Sequence, residues 1–171
     1  VRGRGDLVLA DPGGEEERVV VRSHSGVDYD WSPDGRYLAF AVNEGGFSRL
    51  TVWRLPQRTP VALPEVPEGI VDGLFFDPEG SRLALTLSRP DAPADAYVLD
   101  LDTRRLDRWT RSEVGALDGD TFVGPELIHY PTFDRVGDAQ RRIPAFVYLP
   151  HGPGPFPVYV YIHGGPESQY R

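Results

Sequence analysis

The chain has 171 residues, 40% hydrophobic and 26% charged, a globular composition with room for one domain or slightly more. Its formal net charge of −8 is scattered rather than blocked and excludes a phosphate-backbone partner, because nucleic-acid binding needs clustered positive charge. The absence of cysteine excludes a disulfide framework, a thiolate metal site and a cysteine nucleophile, and no apolar run approaches the roughly 18 residues of a membrane helix.

In chain order, Leu7-Val8-Leu9 and Val19-Val20-Val21 predict two short strands within 1–22, the outer strands of a unit whose first half is missing. Val1 is not a natural start, and the sequence is expected to be a piece of a longer protein. Two stretches then repeat each other: DWSPDGRYLAFA over Asp30–Ala41 and FFDPEGSRLALT over Phe75–Thr86. Pro33 aligns with Pro78, Gly35 with Gly80, Leu38 with Leu83 and Ala39 with Ala84, at one offset of about 45 residues, a period found in propeller blades. Each copy is an aromatic-bearing strand, a Pro-acid-Gly turn and a second apolar strand. Proline presets φ in that turn and glycine tolerates φ > 0 at its exit. Trp31, Phe75 and Phe76 are expected in the blade core. Further strands are predicted over Leu50–Leu55, Pro60–Leu63, Ala96–Leu101 and Leu106–Thr110, giving about four per unit. Residues 1–110 therefore predict blades of a β-propeller, too few to close a ring.

Residues 111–125 are turn-rich and predict a linker. Asp118 and Asp120 lie there, but two carboxylates fall short of the 6–8 oxygens a Ca²⁺ site takes, so a solvated turn is expected and no metal or cofactor is predicted. Three strand-like runs follow: Glu126–Phe133, Ile143–Leu149 and Val158–Ile162. The last is nearly continuous apolar, as for a strand buried on both faces of an α/β sheet. It ends in His163-Gly164-Gly165-Pro166. In α/β-hydrolases a His-Gly-Gly-type loop after an early strand supplies one oxyanion-hole donor, and glycines there leave a backbone N–H open to close approach. The same residues equally suit a turn that merely closes a strand. His163 has no serine or carboxylate partner in register and is not assigned as a base.

WSPDG-type blades, then PELIHYPTFD over Pro125–Asp134, RIPAFVYLP over Arg142–Pro150 and HGGPE over His163–Glu167 together resemble the prolyl oligopeptidase family, most closely its acylaminoacyl-peptidase and dipeptidyl aminopeptidase-like branch. The resemblance covers essentially the whole chain, and its most specific element is the order of these parts. It implies the C-terminal blades of a propeller followed by the first strands of an α/β-hydrolase domain over 126–171. The implied activity is that of a serine peptidase acting on short peptides through an acyl-enzyme, with the propeller restricting access. Gly165 and Gly164 form the implied oxyanion loop, Gly165 offering the N–H. A homo-oligomer of the longer protein is compatible with this family. No serine of the chain lies in Gly-x-Ser-x-Gly, so the Ser-Asp-His triad is expected beyond Arg171. A non-catalytic TolB-like propeller and an esterase or lipase sharing the loop are the alternatives.

Overall fold

A computed structural model describes residues 6–10, 13, 17–21 and 27–164. Its centre is two copies of one four-stranded antiparallel meander. The first sheet contains β3 (Asp28–Trp31), β4 (Tyr37–Glu44), β5 (Phe47–Arg54) and the short β6 (Thr59–Pro60), in that spatial order. The second contains β7 (Ile70–Phe76), β8 (Arg82–Arg89), β9 (Ala92–Asp100) and β10 (Arg105–Arg108), again in order. Ahead of them, β1 (Leu7–Ala10) and β2 (Glu17–Val21) pair antiparallel as a hairpin. Among the described residues there is no α-helix.

The sequence repeat is a structural repeat. Trp31 stands opposite Leu38 and Phe76 opposite Leu83, so the two copies share one register beside the turn; farther from it, a bulge between Asp72 and Phe75 shifts the second copy by one residue. Each turn is closed the same way: Gly35 N–H donates to Ser32 O at 2.8 Å and Gly80 N–H to Asp77 O at 3.0 Å, both glycines at φ 72. The residue opening each turn also caps the next strand through its side chain. Ser32 Oγ accepts from Tyr37 N–H at 2.8 Å, and Asp77 Oδ1 accepts from Arg82 N–H at 3.0 Å. A hydroxyl and a carboxylate thus satisfy the same backbone donor in two copies.

Packing differs between the copies because their neighbours differ. Strand β4 is buried on both faces: Tyr37, Ala39 and Ala41 pack towards the second sheet, while Leu38 and Phe40 join Leu7 on the other side. Strand β8 buries only one face. Leu83, Leu85 and Leu87 enter the core between the sheets, and the alternating Arg82, Ala84 and Thr86 are exposed. The first sheet is an interior layer and the second an outer one. This overturns part of the aromatic expectation. Phe76 does enter the core, stacked on Tyr37 with ring centroids 6.4 Å apart. Phe75, opposite Ala84, lies on the uncovered face and is 67% exposed. Trp31 is 41% exposed, because the two-stranded β1–β2 hairpin offers less cover than a full sheet.

Polar ties fix the joint between the sheets. Asp28 Oδ2 accepts from Leu74 N–H at 3.3 Å and Asp30 Oδ2 from Phe76 N–H at 2.6 Å, serving donors on the edge strand β7. Ser48 adds two bonds, its N–H to Gly69 O at 2.8 Å and its Oγ from Val71 N–H at 3.0 Å.

Beyond β10 the chain carries one 3-10 turn, Gly119–Thr121, capped by the Asp118 side chain accepting from Asp120 N–H at 3.1 Å. A long antiparallel hairpin follows, β11 (Glu126–Val136) and β12 (Ala139–Val147), joined at Gly137-Asp138. The expected strands at 126 and 143 are therefore arms of one hairpin that reaches further towards its turn. The expected third strand over Val158–Ile162 does not form, and those five residues are 66–88% exposed. A strand of this apolar character needs neighbours on both edges and cover on both faces, and the described residues supply neither. The α/β-hydrolase sheet is thus absent from the described residues.

Candidate functional site

The proposed oxyanion loop begins where the described residues end. His163 and Gly164 are exposed, and a Cβ placed on Gly164 would meet nothing within 4 Å. The His163 ring lies over its own chain, Nδ1 3.3 Å from Gly164 O. Gly165, to which the resemblance assigns the N–H donor, lies outside the described residues with Pro166. The structure therefore describes one side of the loop, His163-Gly164, and brings no nucleophile to it.

The hydroxyls of three serines are committed to structural bonds: Ser32 to its turn, Ser48 to the joint between the sheets and Ser112 to Ala94 O. No group of three or more His, Cys, Asp or Glu that could hold a metal occurs among the described residues, and no described helix is long and apolar enough to cross a membrane.

Elsewhere, the hairpin β11–β12 lies against the first sheet. Phe146 of β12 packs on Phe47 at the start of β5, ring centroids 5.2 Å apart. A Cβ on Gly45 would come 3.5 Å from Leu127 Cδ2 of β11. Beside this contact is a shallow cleft of about 360 Å³ with Leu50, Leu63, Pro64 and Pro67 in its wall and Glu44 and Glu68 at its rim. Glu44 is already paired with Arg49 at 2.7 Å.

Two carboxylates are held at about 2. Arg36 N–H is the main cause at Asp34, aided by the Ser32 hydroxyl and the Arg36 guanidinium. At Asp95 the Thr110 hydroxyl leads, with Ser112 N–H and Arg108 opposing the cost of burial. Asp95 was not singled out from sequence, yet a signal existed. In β9 the inward positions run Asp95, Tyr97, Leu99, and an acid in an apolar alternation marks a group that needs partners.

No family model matches the chain. Among solved structures, a puromycin-hydrolysing peptidase from Mycobacterium tuberculosis is 21% identical with a TM-score of 0.63, covering 84% of this chain and 22% of its own. Prolyl oligopeptidase B from Galerina marginata, bound to a 35mer hydrolysis and macrocyclization substrate, is 15% identical with a TM-score of 0.63, covering 82% and 20%. A structure from work on two prolyl endopeptidases is 16% identical with a TM-score of 0.60, again covering 82% and 20%. The chain spans about a fifth of the length of each. At these identities the likeness establishes the fold: the propeller-bearing fold of prolyl oligopeptidases, over a part of their length.

Proposed function

We propose that the chain is part of a serine peptidase of the prolyl oligopeptidase type, in the acylaminoacyl-peptidase and dipeptidyl aminopeptidase-like branch, hydrolysing short peptides through an acyl-enzyme. Residues 1–110 are the last blades of a propeller that gates access, 111–125 the linker, and 126–171 the opening of an α/β-hydrolase domain. The observation that supports this best is the order of parts within a prolyl oligopeptidase-like fold: two blades, then the β11–β12 hairpin, then His163-Gly164-Gly165-Pro166. A blade array alone would serve a TolB-like scaffold equally; the His-Gly-Gly-Pro loop after the hairpin is what favours the peptidase reading. In this reading the Gly165 N–H faces the oxyanion that forms when a serine from residues beyond 171 attacks the peptide carbonyl. Gly164 keeps the approach open, and no cofactor takes part.

The test uses the longer protein. A fluorophosphonate should label one serine covalently, and peptide anilides should turn over faster than matched esters of non-peptide acids. A fold that never labels supports the scaffold alternative, and ester-only turnover supports the esterase. Gly165→Pro deletes the donor N–H and should lower kcat by about 10²–10³, the cost of one oxyanion donor. Proline also perturbs the loop, so substrate-analogue binding and thermal unfolding are measured on the same variant. Unchanged kcat in a folded Gly165→Pro protein removes Gly165 from the oxyanion hole. The 171-residue chain, with no Gly-x-Ser-x-Gly, should show no hydrolysis above buffer.

A further inference from the structure

We infer that Asp95 is a positioning residue for the exit from the blade array, one buried carboxylate that fixes the direction in which the chain leaves β10 for the β11–β12 hairpin. Its side chain is 1% exposed, and a carboxylate so buried is tolerated only with its lone pairs occupied. All its partners come from one short segment. Oδ1 accepts from Thr110 Oγ1 at 2.7 Å and Ser112 N–H at 2.8 Å. Oδ2 accepts from Arg108 Nε at 2.9 Å and from Arg108 Nη2.

The peptide groups flanking Asp95 hold the same segment. Thr110 Oγ1 accepts from Ala96 N–H at 2.9 Å, Ser112 Oγ donates to Ala94 O at 2.8 Å, and Trp109 N–H donates to Ala96 O at 2.8 Å. The paired register of β9 and β10 ends at Arg108 opposite Tyr97, and beyond it the Trp109 N–H bond and these side chains together continue the attachment. Past Ser112 the connection is largely exposed, with Val114, Phe122, Val123 and Pro125 half-buried, and its hydrogen bonds are local, such as Leu117 N–H to Val114 O at 3.2 Å. The last firm point before the hairpin is therefore this node. The inference rests on the proposed function only where it predicts a catalytic effect.

The test uses the dilute 171-residue chain. Asp95→Asn keeps one acceptor but turns an amide donor or a weaker oxygen towards Arg108. Thr110→Val cuts the node from the linker side without opening a hole in the sheet. Each variant should speed tryptic cleavage after Arg108 and Arg111 by about tenfold, as for the loss of one charge-assisted or buried hydrogen bond. Cleavage after Arg82 and Arg89 should stay unchanged. Spin labels at Asp102 and Asp138 should give a broader distance distribution in both variants. Faster cleavage at Arg82 and Arg89 as well, in both variants, makes Asp95 a core group of the sheet and overturns the inference. Unchanged cleavage and an unchanged distribution overturn it too. In the longer protein, Asp95→Asn should lower kcat with little change in KM. If the unsubstituted longer protein is inactive, the peptidase reading fails while the cleavage and distance measurements still decide the role of Asp95.

Discussion

Replacing Leu83 by alanine tests the blade pairing where it is most concentrated. The side chain is fully buried between the two sheets, opposite Leu99 on β9 and Phe76 on β7, in the cluster that also holds Val52, Leu85 and Tyr97. Neighbours from two sheets meet there, and a hole cannot close without moving both. The loss should fall in the range of about 2.7–5 kcal/mol measured for buried Leu→Ala changes. Leu38, equally buried but in the smaller cluster against Leu7 and Phe40, should cost towards the lower end, about 3 kcal/mol. Ala84→Thr, one residue along on the uncovered face, should stay within about 0.5 kcal/mol. Urea unfolding followed by far-UV circular dichroism, at concentrations where sedimentation gives a monomer, reads all three. With a slope of about 2 kcal/mol per molar, a loss of about 3 kcal/mol moves the midpoint by about 1.5 M. If Leu83→Ala costs under about 1 kcal/mol, or Ala84→Thr costs as much as Leu83→Ala, the two-sheet core is wrong.

The uncovered face around Phe75, Ala84 and Thr86 should make the chain self-associate as its concentration rises despite the −8 charge, and Phe75→Ser should lower the mass seen in sedimentation velocity. A monomer at all concentrations, unaltered by Phe75→Ser, contradicts this. Asp30→Ala strands the Phe76 N–H at the joint and should cost about 1–3 kcal/mol, with Asp30→Asn recovering part because its amide oxygen still accepts; equal losses in denaturation would show that the bond is not what matters. Asp34 is held down at about 2 from an ordinary 3.8. Its folded value lies below its unfolded one, so its contribution is complete above about pH 5 and fades as pH falls through the unfolded value towards 2. Wild type should therefore lose stability relative to Asp34→Asn between pH 5 and 2 in acid titrations, and parallel curves would refute the assignment.

The blades were legible because turn chemistry and apolar alternation are local and repeat. Pro33-Asp34-Gly35 and Pro78-Glu79-Gly80 mark the turns, and Leu38 and Leu83 mark matched buried positions, each fully buried. What each aromatic touches was not legible, since it depends on which sheet lies beside it: Phe76 is covered and Phe75 is bare although they are adjacent in sequence. The hairpin was read as two separate strands because Gly137-Asp138 sits inside a polar stretch with no apolar alternation leading into it. Val158–Ile162 shows the limit of composition, because an apolar run specifies a buried strand only when other strands are present to bury it. For the candidate site, the sequence marked Gly164 and Gly165 by residue type, and the structure reaches Gly164 alone. Asp95 could have been found, but its partners Arg108, Thr110 and Ser112 lie at spacings that follow no motif.

Asp28 and Asp30 stand two residues apart on β3 and meet Leu74 and Phe76, also two apart, on β7. Because N–H and C=O alternate along an edge, sliding one sheet by a single residue would set both acids against carbonyl oxygens. The pair acts as a vernier that admits one alignment of the neighbouring sheets. In the second copy Asp72, opposite Thr86 as Asp28 is opposite Ala41, and Phe75, opposite Ala84 as Asp30 is opposite Ala39, occupy the matching positions, so that copy keeps only one acid of the pair on its far side. The copies are consequently not interchangeable bricks. A tandem duplication of the second would stack with one acid of the pair, whereas a duplication of the first would offer both. The array thus has a direction written into it, independent of the order in which the chain is threaded.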